Sequence, residues 1–251
     1  MYSSLQKPGR IPGVLFILTF VFSIPTLWFY APVLDHHSYI LGAGQDTRVA
    51  IGALFDALTG IAGIATAITF YPVLKRQSQP LALGYVASRT VETATIVIGL
   101  ISLMAVVKLR QDLAGGGADA ASAVIAGRSL VAVYHGAFLL GPSFCAGIGN
   151  GMLLGYLLYR TGLVPRRMAM IGLIGGPLAF LAATLTLLGV YDQNSAAQNL
   201  LTIPEIVWEA ALGIYLTVNG YRPSAFIGGT NGATGAPDLS SLTVATPATS
   251  V

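Results

Sequence analysis

Of the 251 residues, 54% are hydrophobic and only 9% charged, where an ordinary globular domain carries about 25% charged residues. That balance excludes a soluble domain and places the chain among polytopic membrane proteins. The net charge of +3 does not point to nucleic acid, because the basic residues fall at the ends of apolar runs and form no stripe, and the single Cys145 excludes an intrachain disulfide framework.

The polar segment MYSSLQKPGR (1–10), with Lys7 and Arg10, reads as a cytoplasmic N-terminal segment. Ile11 to Leu34 then runs without a charge, long enough to cross the hydrocarbon of a bilayer, about 30 Å. A secretory signal would have a shorter apolar region and a small-x-small cleavage site, which FYAPVL does not provide, so this is read as an uncleaved first span. Val49 to Leu74 is the second span, interrupted only by Asp56 and closed by Lys75 and Arg76; QSQP leads to a third from about Leu81 to Val107, which contains Arg89 and Glu92.

A Gly- and Ala-rich loop, QDLAGGGADA, separates that span from the stretch Leu130 to Arg167. From Leu130 to Tyr159 it has no charged residue, and as a helix that run would reach about 45 Å. The fourth span is expected within it, centred on Phe138 to Tyr159, with a kink at Gly141-Pro142, because proline removes an amide donor and crowds the preceding turn. Met168 to Val190 is the fifth span and Leu200 to Val218 the sixth, joined by YDQNSAAQN. The tail 222–251, rich in Gly, Thr, Ser and Ala, buries too little apolar surface to order itself and reads as a disordered cytoplasmic segment.

The expected fold is therefore an all-α, polytopic transmembrane helical bundle of six spans over residues 11–221. Lys7, Arg10, Lys75, Arg76, Arg160, Arg166, Arg167 and Arg222 fall on one side of six crossings, and Arg48, Lys108, Arg110 and Arg128 on the other. The positive-inside rule then puts both termini in the cytoplasm. Spans two and four each end in a tyrosine, basic residues and a proline, Tyr71 to Pro80 and Tyr159 to Pro165. This is either the trace of a repeated helical hairpin or the way any hairpin anchors itself at an interface.

Ionisable residues inside a bilayer are expensive, so Asp56, Arg89, Glu92 and Glu209 need partners or water. Arg89 and Glu92 are three apart and share a helix face. They form either a buried ion pair that fixes packing or part of a pocket in which Glu92 binds a cationic or hydroxylated group or exchanges a proton. Thr202-Ile203-Pro204-Glu205 matches a capping box, which assigns Glu205 to a helix start. Glu209, a turn deeper, has no such role and is a candidate for the polar site. Trp208 beside it is expected at the interface or facing lipid.

His135 is either at the outer interface or just inside the membrane, as a packing residue or as a catalytic or proton-transferring group. Asn150 must hydrogen-bond to another helix or to a bound molecule. Asp56 is expected to face water or pair with Arg48, and Asp35-His36-His37 to be a solvated loop, not a metal site. Gly147, Gly151 and Gly155, like Gly172 and Gly176, recur every four residues and read as close-packing faces. No phosphate-binding loop, CxxC, HExxH or GxSxG is present, so no cofactor and no metal is implied.

YPVLKRQ (71–77), LALGYVASRTVE (81–92), HGAFLLGPSFCAGIGNGMLLGYLLYRTGLVPRR (135–167) and IPEIVWEAALGIYLTVNGY (203–221) together resemble the bacterial DUF4386 family of integral membrane proteins. The resemblance covers roughly residues 10 to 222. It implies that Arg89 and Glu92 fill a family Arg-x-x-Glu, and that His135, Asn150 and Glu209 match a family histidine, asparagine and late glutamate. Where the family commonly has an acid after the histidine and a lysine before the final glycine, this chain has Gly136 and Asn219, which weakens an acid–histidine pair. The resemblance implies topology, bacterial origin and a place in the cytoplasmic membrane, and no activity.

Three readings follow. In the first, Arg89, Glu92, His135, Asn150 and Glu209 line an intramembrane pocket that binds or moves a small amphiphilic or lipid-like molecule, the bilayer being the other partner. The second is a membrane enzyme with Glu92 or Glu209 and His135 as acid and base on a lipophilic substrate. In the third, a structural or regulatory protein, the polar residues only hold helices together.

Overall fold

The structure, a computed structural model, describes residues 2–35, 39–42, 44–116 and 119–222, with side chains from Gly9 onward. Among the described residues every regular element is helical: α1 (Tyr2–Leu34), α2 (Asp46–Leu74), α3 (Gln79–Ala114), α4 (Ala120–Phe138), two π-helical segments (Leu139–Cys145 and Gly147–Leu154), α5 (Gly155–Thr161), α6 (Arg166–Leu187) and α7 (Ala196–Asn219), with a 3-10 turn at Tyr39–Leu41. The run Ala120–Thr161 is one continuous rod, so six rods are long and apolar enough to cross a membrane. The chain is a multi-pass membrane protein. The tail beyond Arg222, with His36 and His37, lies outside the described residues.

The rods form a closed ring. Helix α1 packs on α2 and α7, α3 on α2 and the α4–α5 rod, and α6 on that rod and on α7. Arg10 donates to the Val218 carbonyl at 3.2 Å, and the Arg222 amide to the Leu163 carbonyl at 2.9 Å. First and last helices thus meet at the same end as the α5–α6 turn. That end carries Lys75, Arg76, Arg160, Arg166 and Arg167 and is called the basic end below. There, Lys75 lies over the Tyr71 ring (5.5 Å) and Arg166 over Tyr159 (5.6 Å), the aromatic-plus-basic arrangement suited to a membrane interface.

Three of the bases at the opposite end are engaged locally. Arg110 pairs with Asp46, which also accepts from the Tyr39 hydroxyl at 2.7 Å; Lys108 pairs with Asp112 at 2.7 Å. Arg48 lies 3.8 Å from the Trp28 ring centroid and donates to the Trp28 carbonyl.

Helix starts lie ahead of the expected spans: α1 already includes Tyr2 to Arg10, read in the sequence as a segment before the first span, and two further starts change the reading of named residues. The fourth rod begins at Ala120, well before Leu130, because the Asp119 carboxylate accepts from the Ser122 amide at 2.9 Å and caps it. Helix α7 begins at Ala196, capped by the Ser195 hydroxyl. The capping-box reading of Thr202 and Glu205 is therefore corrected: Glu205 lies mid-helix, 3% exposed, and the Thr202 hydroxyl donates within the helix, to Gln198.

The apolar core is split in two. One cluster near the basic end holds Phe16, Phe70, Leu74, Tyr85, Leu157, Trp208 and Leu212. The other, at the opposite end, holds Tyr30, Val49, Leu103, Val106 and Tyr134. Between them lies a layer of buried polar groups, and that layer surrounds the cavity.

Candidate functional site

The site is built on the position in α3 where the apolar run is broken. Arg89 and Glu92 are 4% and 8% exposed. One guanidinium nitrogen, Nη1, donates to both carboxylate oxygens, at 2.8 and 2.7 Å, and Nε donates to the Gly63 carbonyl of α2 at 3.3 Å. The Arg89 guanidinium can reach α2 because Gly63 has no side chain: a Cβ there would stand 2.8 Å from Nη2. The pair thus couples α3 to α2 and caps the apolar cluster, with Arg89 5.9 Å from the Phe16 ring.

Across the ring, the Asn150 side chain donates to Glu209 at 2.5 Å, and the Trp208 indole donates to the Asn150 carbonyl at 2.9 Å. Trp208 is fully buried, a correction to its expected interfacial or lipid-facing position. Its indole occupies the space left by Gly172, where a Cβ would lie 2.5 Å away. Asn150 belongs to the second π segment, so the expected proline kink at Gly141-Pro142 takes the form of a wider helix through Pro142. Irregular helix of this kind frees backbone groups for other partners. The Cys145 carbonyl accepts from the Ser88 hydroxyl at 2.8 Å, and the Asn150 carbonyl accepts from Trp208.

Glycines bring this segment onto α6. A Cβ on Gly151 would lie 2.2 Å from the Gly176 Cα, and one on Gly155 3.3 Å from Gly172, so the backbones touch. The same Gly151 faces Glu205, whose Oε2 would stand 2.6 Å from that Cβ. Both Glu205 oxygens are buried without a hydrogen-bond partner among the described residues.

A cavity of about 410 Å³ opens between α1, α2, α3, the α4 rod and α7. Arg89, Glu92 and Glu209 form its polar part, while Phe20, Ile24, Leu27, Ile96, Phe138 and Ile206 give it apolar walls. Asn194 and Asn199, near the α6–α7 loop, line its mouth on the side away from the basic end. Asp56 lines it too, and accepts from the Tyr30 hydroxyl at 2.9 Å. That corrects the expectation that Asp56 faces water or pairs with Arg48, which is engaged with Trp28 and Gln45.

Of the five residues singled out in sequence, the structure brings Arg89, Glu92 and Glu209 to one cavity and places Asn150 behind Glu209 as its donor. His135 is not brought to them. It lines a separate groove with Arg128, Tyr39 and Ile40, and its carbonyl accepts from Gln193 of the α6–α7 loop at 3.2 Å, which fixes its depth near that loop. Among the described residues, no three His, Cys, Asp or Glu side chains are grouped to hold a metal.

Residues 11–220 match the model of a family described as a domain of unknown function, DUF4386. No curated protein and no solved structure matches the chain.

Proposed function

The chain belongs to the DUF4386 family, and from the cavity its helices enclose we propose that it binds a small amphiphilic or lipid-like molecule inside the membrane. The observation that carries this reading is the pairing of one polar surface, Arg89, Glu92 and Glu209, with apolar walls in a single space of about 410 Å³. Small-molecule sites have this size and composition, mostly apolar with a few convergent polar groups. An amphiphile would place its polar end against the ion pair and Glu209, and its chain along Ile24, Leu27 and Ile206, which are exposed at the opening.

The acid–base reading needs an imidazole beside a carboxyl, and His135 lies in another groove. That favours binding. The test is to purify the protein in a mild detergent, extract it with organic solvent and identify co-purifying small molecules by mass spectrometry. The wild type should carry a compound in near-stoichiometric amount, and Ile96→Trp, which fills the cavity while keeping an apolar wall, should lose it. Equal recovery from both proteins would locate the compound on the lipid-facing surface instead.

A further inference from the structure

We infer that the occupant of this cavity carries a positive charge: a lipophilic amine, its ammonium taken by the free carboxyl oxygen of Glu209 or of Asp56. The inference rests on the pocket reading above and adds to it the chemical class of the ligand.

Three observations carry it. The first is the disposition of charge. Three carboxyl groups face the cavity, those of Asp56, Glu92 and Glu209, against one cation, Arg89. Arg89 is matched by Glu92, whose two oxygens both accept from it. Of the carboxyl oxygens, one of Glu209 is left for a ligand, the other being bonded to Asn150, and one of Asp56, the other being bonded to Tyr30. Among the described residues no protein donor reaches either of them.

The second is the direction of the hydroxyl protons. Six threonines line the cavity, and each donates its only proton to a backbone carbonyl: Thr19 to Phe16, Thr26 to Ser23, Thr59 to Phe55, Thr93 to Gly60, Thr95 to Glu92 and Thr202 to Gln198. A hydroxyl that has donated presents only lone pairs. The threonine oxygens can therefore accept from an ammonium and cannot donate to a phosphate or carboxylate; the hydroxyls of Ser23, Ser143 and Tyr134, which also line the cavity, can do either.

The third is size. A metal cation would leave most of a 410 Å³ space, and the apolar walls, without contacts. An alkyl amine fills both, in a lining that includes the aromatic residues Phe20, Tyr134 and Phe138. Asp56 enters this site although its span position alone suggests a solvent-facing acid; Tyr30 and the cavity wall give it a place.

The experiment uses the full chain in phosphatidylcholine nanodiscs, titrated calorimetrically with three probes of one chain length: octylammonium, octanol and octyl sulfate, each corrected by empty discs. Octylammonium should bind about tenfold or more tighter than octanol, the difference expected for one charge-assisted hydrogen bond, and octyl sulfate weakest. Asp56→Asn and Glu209→Gln should each reduce that preference, and the two together should erase it. Asp56→Asn keeps an acceptor for Tyr30, so it tests the inference even where Glu209→Gln disturbs Asn150. Equal binding of the three probes, or a preference for octanol or the sulfate, lost in each case in Ile96→Trp, would overturn the amine and leave the pocket standing. Heats no larger than those of empty discs for all three would remove both.

Discussion

Arg89 and Glu92 meet in a medium that tolerates neither charge alone. Removing one partner of a buried ion pair strands the other, a loss of about 3–5 kcal/mol, whereas replacing both with apolar groups of like volume is often neutral. Glu92→Leu should therefore destabilise the protein by roughly that amount in equilibrium unfolding in mixed micelles, and the double variant Arg89→Met with Glu92→Leu should recover most of it. Equal losses in single and double variants would mean that the Gly63 carbonyl, not the carboxylate, holds the guanidinium. The spacing of three made this pair legible in the sequence. Glu205 was not legible, because Thr-x-x-Glu counts residue types and does not know that Ser195 has already started the helix. Trp208 was not legible either: an indole suits an interface, and only the missing side chain of Gly172 gives it a buried slot.

At the scale of elements, the contact between the second π segment and α6 is made of backbone. Gly151→Ala would put a methyl 2.2 Å from the Gly176 Cα and against Glu205. No rotamer relieves a clash with backbone, so the rods must separate, and the variant should lose its monodisperse peak in size-exclusion chromatography. Gly136→Ala, in the same rod, meets nothing within 4 Å and should elute as the wild type does. The four-residue glycine period announced the packing face. The π geometry was hidden, since Pro142 predicts only a disturbance and leaves its form open. The wider turn of the π segment changes which face Asn150 presents to Glu209, so the two could be named as polar residues in need of partners but not paired with each other.

For the whole molecule, span lengths were readable because the hydrocarbon thickness sets them, and rod rotations were not, because lipid is as apolar as a protein core and leaves little difference between inner and outer faces. Charge predicts the orientation. Away from the basic end Arg110 and Lys108 are paired with Asp46 and Asp112 and Arg48 is stacked on Trp28, while at the basic end Lys75 and Arg166 lie over Tyr71 and Tyr159. By the positive-inside rule the basic end is expected on the cytoplasmic side. In a Cys145→Ala background, an impermeant maleimide applied to intact cells should label Asp192→Cys in the exposed α6–α7 loop and spare Gln77→Cys in the α2–α3 turn. The reverse pattern would invert the protein.

Closure of the ring by α1 and α7 has a consequence for biosynthesis. The ribosome delivers α7 last, so until the final two dozen residues of the bundle leave the translocon, Asp56 and Glu92 stand on an open arc beside lipid, and Asn150 lacks its acceptor. A chain halted before α7 would expose those groups to the membrane quality-control proteases, so nonsense mutations late in the reading frame should yield little accumulated fragment.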